Sequence, residues 1–137
     1  MKSEHSGFET SDDAENAFYH AFVHCDHEAM KAVWMNDKVV CIHPGSHAIV
    51  GYEAVMRSWS VIFSGVALPD IQINVIQKTV SDTVAVYVVE EHISAEVGVP
   101  SAVVLATNIF RKTDEGWLMI EHHAAMMHSP AGGRTIQ

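Results

Sequence analysis

The chain has 137 residues, 48% of them hydrophobic and 18% charged, enough for one domain that buries about two-thirds of the surface its unfolded form exposes. With 17 acidic against 8 basic side chains its formal charge is −9, which argues against nucleic acid or an anionic membrane as partner, since both need a basic face. Cys25 and Cys41 in apolar contexts, a polar start, and no apolar run near the ~20 residues of a membrane span point to a reduced, cytoplasmic setting.

Residues 1–10 are polar and read as a flexible N-terminus. Order is expected from Ser11 or Asp12, where Asp12 followed by Glu15 has the spacing of a capping box. In the helix that follows, Ala14, Ala17, Phe18, Ala21, Phe22 and Cys25 recur as one apolar face, leaving Asp13, Glu15, His20 and His24 on the other. Asp26 can cap a second, short helix with Ala29, Met30, Val33 and Trp34 as its inward stripe. Val39 to His43 alternates as a short strand does, and Pro44-Gly45 then redirects the chain. That turn sets His43 at a strand end, where a side chain can sit at the rim of a cavity. Gly51 opens a third helix with the stripe Tyr52, Val55, Met56, Trp59, Ile62 and Phe63, and Gly65 lies just past its last turn.

From Pro69 the pattern changes to β-branched runs: residues 71–80, 83–93, 102–112 and 117–127 each read as a long strand. Ser81-Asp82 and Thr113 to Gly116 suit hairpin turns, with a looser connection at Gly98 to Ser101. Helices first and strands afterwards, without alternation, predict an α+β domain over residues 11–128, followed by a flexible C-terminal tail, residues 129–137.

The element order, the His43-Pro44-Gly45 strand end, Thr107-Asn108-Ile109-Phe110-Arg111, and Gly116-Trp117 leading to His122-His123 together resemble the SnoaL-like branch of the nuclear transport factor and ketosteroid isomerase superfamily. The resemblance covers about residues 10–128. It implies three N-terminal helices packed on a strongly curved, mainly antiparallel sheet, forming a cone with an internal pocket, and a homodimer through the outer sheet face. It also places His43 where the ketosteroid isomerases carry their Asp base before a proline, and Asn108 where they carry a protonated Asp. Their oxyanion Tyr corresponds most nearly to Phe18, with Tyr19 one residue away. Strand alternation and the resemblance together set Val86, Val88, Glu90 and His92, then Ala106, Asn108 and Phe110, then Leu118, Ile120, His122 and Ala124 toward the pocket. Ile109, Trp117 and Met119 would then face the dimer partner.

His43 and Asn108 are therefore the candidate catalytic residues, and Phe18, Tyr19, Trp59, Glu90, His92, Phe110 and His122 the candidate ligand-binding ones. Each has a plainer reading: His43 as a turn-capping histidine, Asn108 as a structural bridge, Glu90 with His92 as a strand-end ion pair, and the aromatic rings as core. A metal held by His43, Glu90, His92 and His122 is a weaker alternative, because no motif brings those ligands together on one element. The reading calls for no cofactor. Two function classes follow. One is a small-molecule-binding protein, as an isomerase, cyclase or hydratase in which His43 moves a proton on a small apolar carbonyl compound. The other is a non-catalytic ligand-binding or association domain, as the calcium/calmodulin-dependent kinases show for this architecture, although the pocket arginines of that family look replaced by Glu90 and Asn108.

Overall fold

The computed structural model describes residues 7–65, 70–94 and 102–127. Three helices, α1 (Ser11–Val23), α2 (His27–Val33) and α3 (Tyr52–Ser64), precede the long strands, with β1 (Val40–Ile42) and β2 (Ile49–Val50) between the second and third helices. The long strands are β3 (Asp70–Val80), β4 (Val84–Ser94), β5 (Ala102–Thr113) and β6 (Gly116–Met126), matching the expected runs closely. The connection expected at Gly98 to Ser101, the tail 129–137 and residues 1–6 lie outside the described residues.

All six strands form one sheet in the order β2-β1-β6-β5-β4-β3. Every neighbouring pair is antiparallel except β1 with β6, which is parallel, so the sheet is mixed. This is the expected α+β architecture, but the strong curvature of a cone is not found: the sheet is not strongly curled and ends in two separate edges. Strands bend sharply at bulges, and among the described residues two register shifts interrupt the ladders, at Val75/Gln77 in β3 and at Ile109/Phe110 where β5 meets β6. Phe18, Met30, Trp59 and Met119 are fully buried between helices and sheet. Among the described residues no helix is long and apolar enough to cross a membrane.

Local chemistry explains the element ends. Thr10, not Asp12, caps α1, its hydroxyl accepting from the Asp13 amide at 3.0 Å. Phe8, expected to be loose, is instead tied to Trp117 by paired backbone bonds of 3.1 and 2.8 Å. Gly116, at φ +126°, lies against that pairing, and a Cβ there would meet the Phe8 backbone at 2.7 Å. Asp26 caps α2 as expected, accepting from the Ala29 amide at 3.0 Å. His43 to Ser46 forms a turn with Pro44 second and Gly45 third at φ +79°, the pattern of a type II turn, closed by Ser46 N–H to the His43 carbonyl at 2.9 Å.

The inward faces differ from the expectation on two strands. On β4 the buried side chains are Ala85, Tyr87, Val89 and Glu91, so Val86, Val88, Glu90 and His92 point to the opposite face. Strand alternation left that choice open, and the resemblance chose the wrong phase. On β5, Ala106, Asn108 and Phe110 are buried as expected. On β6 the extra residue Ile120 shifts the phase: His122 and Ala124 are inward, but so are Trp117 and Met119, which were assigned to the dimer face.

Candidate functional site

Helix α1 determines what enters the core. Its buried positions include Glu15 and Tyr19 beside Ala14, Phe18 and Ala21, so the inward face is turned toward residues that the apolar pattern alone excluded. Tyr19, not only Phe18, reaches the sheet. Its hydroxyl donates to Glu91 Oε2 at 2.5 Å and accepts from Asn108 Nδ2 at 2.9 Å. Asn108 Nδ2 also donates to Glu15 Oε1 at 3.2 Å. With both amide hydrogens committed, Asn108 Oδ1 accepts from His122 Nδ1 at 2.6 Å, which fixes the His122 tautomer. The result is one buried network, Glu91–Tyr19–Asn108–His122 with Glu15 attached, across α1 and three adjacent strands. Glu15 and Glu91 are functional candidates that the sequence reading passed over.

Burial sets the charges of this network. Glu15 is pushed up to about 8, chiefly by desolvation and further by the charge of Glu91, against the opposing bond from Asn108. Desolvation raises Glu91 to about 7, partly offset by the Tyr19 hydrogen bond. Full burial, with His43 and His123 nearby, takes His122 down to about 3, so it is a neutral imidazole at ordinary pH. Glu15 Oε2 is buried with no partner, as befits a carboxyl that keeps its proton.

His43 lies at the half-buried side of the same cluster. Its ring meets Trp59 edge-on at 4.8 Å, Trp59 lies 5.9 Å from His122, and Phe18 is 4.9 Å from His122 and 5.6 Å from Trp59. The Ser58 hydroxyl donates to the Val55 carbonyl at 2.7 Å, so at 2.9 Å it accepts from His43 Nε2–H. His43 Nδ1 then carries the lone pair, with Cys41 Sγ 4.0 Å from it and 3.6 Å from Nε2 as its weak sulfur neighbour. Burial holds His43 below the usual histidine range and pushes the Cys41 thiol well up, which leaves the imidazole a neutral acceptor and the thiol an inert neighbour. Trp59 Nε1–H is buried with no acceptor.

Of the nine residues singled out from sequence, six meet here: His43, Asn108, Phe18, Tyr19, Trp59 and His122. Phe110 packs instead against Tyr87, at 5.6 Å. Tyr87 donates to Asp12 at 2.5 Å and is bonded to Ser11 at 2.8 Å, so Phe110 belongs to the core beneath the start of α1. Glu90 and His92 form a 3.1 Å pair on the opposite sheet face, where Asn74 also donates to Glu90. That placement removes both from the site and breaks up the four-residue metal set. Among the described residues, no three His, Cys, Asp or Glu side chains are grouped to hold a metal ion.

Comparison with known proteins places this geometry in context. The model of the SnoaL-like domain family matches residues 12–129. A Thiobacillus denitrificans structure described as a calcium/calmodulin-dependent protein kinase type II association domain is 30% identical, with a TM-score of 0.86 over 90% of this chain and 100% of that one. A Streptomyces avermitilis structure described as a dehydratase of the NTF2-like family is 27% identical, with a TM-score of 0.78 over 87% and 94%. An F-box protein of Arabidopsis thaliana, SKIP8, is 28% identical over 101 residues, 73% of this chain and 42% of that protein, so the chain spans less than half of that relative's length.

Proposed function

Because the chain belongs to the SnoaL-like domain family, we propose that it binds a small, uncharged carbonyl compound at the half-buried side of the His43 cluster and that His43 moves a proton on it, as in an isomerase, cyclase or hydratase. One observation carries this reading: half-buried His43 presents Nδ1 as an unprotonated acceptor, its other nitrogen is fixed by Ser58, and its ring lies against Trp59, whose buried N–H has no acceptor among the described residues. A base must be unprotonated at working pH and within reach of the substrate, and burial favours the first condition here. The α-proton of a bound ketone would pass to Nδ1 as the enolate forms, and the imidazolium would return it to a neighbouring carbon or oxygen. Asn108 does not polarise the substrate. Its amide hydrogens are spent on Glu15 and Tyr19, so its role is to hold His122 and the helix in place. The similarity to a dehydratase of the NTF2-like family supports proton-transfer chemistry of this kind. Incubating the protein with cyclohexanone in heavy water and following loss of the α-hydrogen signal by NMR tests the reading. Exchange above the buffer rate supports it; an unchanged rate across pH 5 to 9 counts against it.

A second reading is a non-catalytic association domain, favoured by the similarity to a kinase association domain and by the apolar outer sheet face. Val88, Leu105, Thr107, His123 and Ala125 line a shallow depression there. In this reading the outer face pairs with a second copy of the chain, over roughly 1,200–2,000 Å² in total for a stable contact.

A further inference from the structure

We infer that the chain carries a second small-molecule site, separate from the His43 cluster, in a concavity of about 590 Å³ between α2, the start of α3 and the β5–β6 hairpin. Its volume falls in the ~300–1,000 Å³ range of ligand pockets. None of its lining residues belongs to the Glu91–Tyr19–Asn108–His122 network or touches His43 in the contacts described above.

The walls are held by bonds internal to the fold. The Tyr52 hydroxyl donates to the Lys31 carbonyl at 2.9 Å, tying α3 to α2. The Met35 amide donates to the Met119 carbonyl at 2.9 Å, fixing the segment after α2 against β6. The Thr113 hydroxyl donates to the Gly116 carbonyl at 2.8 Å and closes the hairpin that forms the far side. A concavity built this way exists before any ligand arrives, which lowers the ordering cost of binding.

The feature that points to a ligand is Trp34. It lines the concavity, is 2% exposed, and its Nε1–H is buried without an acceptor. Buried donors are almost always paired, so this one is available to donate to an oxygen supplied from outside the chain once a small turn of the indole brings its N–H to the cavity surface. The remaining lining sets the class. Met35, Leu118 and the Tyr52 ring offer apolar surface. Two of the three charged lining residues, Glu28 and Glu115, are acidic, and the third, Lys31, is already paired with Glu28 at 2.9 Å. Among the described lining residues the one cation is already paired, so the wall offers no ready counter-ion for an anion. The occupant is therefore an uncharged, mainly hydrocarbon molecule with one carbonyl-type oxygen directed at Trp34.

The test uses the full chain labelled with ¹⁵N, whose three tryptophans give separate indole N–H signals that single Trp→Phe variants assign. Three probes of nearly the same shape are titrated: acetophenone, α-methylstyrene, in which a carbon replaces the carbonyl oxygen, and benzoate, its anionic counterpart. Acetophenone should shift the Trp34 indole signal saturably, with the other two binding at least ~10-fold more weakly, the discrimination expected when a buried donor loses its acceptor. Ala32→Phe, at an exposed position on the cavity wall, should abolish the shift while leaving the rest of the spectrum in place. The inference is overturned by the absence of a saturable Trp34 shift, by α-methylstyrene or benzoate binding as well as acetophenone, or by a shift that survives Ala32→Phe. A response confined to Trp59 would overturn it while leaving the His43 site intact, so the two assignments stand or fall separately.

Discussion

The buried carboxyl of Glu15 should make this protein less stable as pH rises, and Glu15→Gln should remove that loss. Its value of about 8 in the folded chain lies above the ordinary 4.5. Below pH 4.5 the group is protonated in both states and the stability of the folded form is intact. Between 4.5 and 8 the unfolded chain releases the proton while the folded chain keeps it, so stability falls across that window and levels off above it. The gap of about 3.5 pH units corresponds, at about 1.4 kcal/mol per unit, to roughly 5 kcal/mol as an order of magnitude. Glu91, at about 7, acts in the same direction over a narrower window. His122, held near 3, acts in the opposite sense: its contribution is full above 6.5 and is lost as pH falls from 6.5 toward 3. These three contributions together should make stability peak near pH 4.5: below it the histidine contribution is lost, from 4.5 to 6.5 the two carboxyls outweigh the histidine, and the decline continues toward pH 8. Glutamine keeps the acceptor for Asn108 and cannot ionise. Urea melts at pH 5, 6.5 and 8 should show variant and parent within about 1 kcal/mol at pH 5, and the variant ahead by several kcal/mol at pH 8. Parallel curves, with a constant difference at all three pH values, would refute the assignment of a protonated Glu15.

Asn108→Leu should act on stability rather than on ligand binding. It leaves His122 Nδ1–H without its acceptor and Glu15 and Tyr19 without a donor, at a cost of about 3 kcal/mol or more in a thermal or urea melt, and a variant within 0.5 kcal/mol of the parent would contradict the network. Leu105 is 38% exposed on the outer sheet face, and if that face pairs with a second copy, Leu105→Glu should turn a dimer into a monomer by light scattering while leaving circular dichroism unchanged. A parent that is monomeric at micromolar concentration would remove the association reading.

The fold was legible because period and turn chemistry are local signals. Pro44-Gly45, Gly51 and the β-branched runs marked real boundaries, and Asp26 capped the helix it was expected to cap. The phase of the faces was not local. Glu15 is polar, so periodicity placed it outward, and the resemblance turned the Glu91 face of β4 away from the core, yet both are buried because α1 and β4 meet Asn108 and each other's partners across the chain. One extra residue at Ile120 carried Trp117 and Met119 from the expected interface into the core, and nothing in the β6 sequence marks that bulge. His43 was readable from its place before Pro44. Its tautomer was not, because that depends on Ser58, fifteen residues on and part of another element.

The most direct test of proton transfer by His43 is the pH dependence of α-hydrogen exchange in cyclohexanone, compared between the parent chain and His43→Gln. Burial lowers the His43 value below its ordinary 6.5, so the parent's exchange should rise as His43 loses its proton, with its midpoint below 6.5, and hold level above. The glutamine variant, which can keep one hydrogen bond to Ser58, should melt at the parent's temperature and lose roughly 10²- to 10⁴-fold in rate, the usual contribution of a positioned base. A variant that exchanges at the parent's rate, or a parent profile with no inflection below 6.5, would contradict the account.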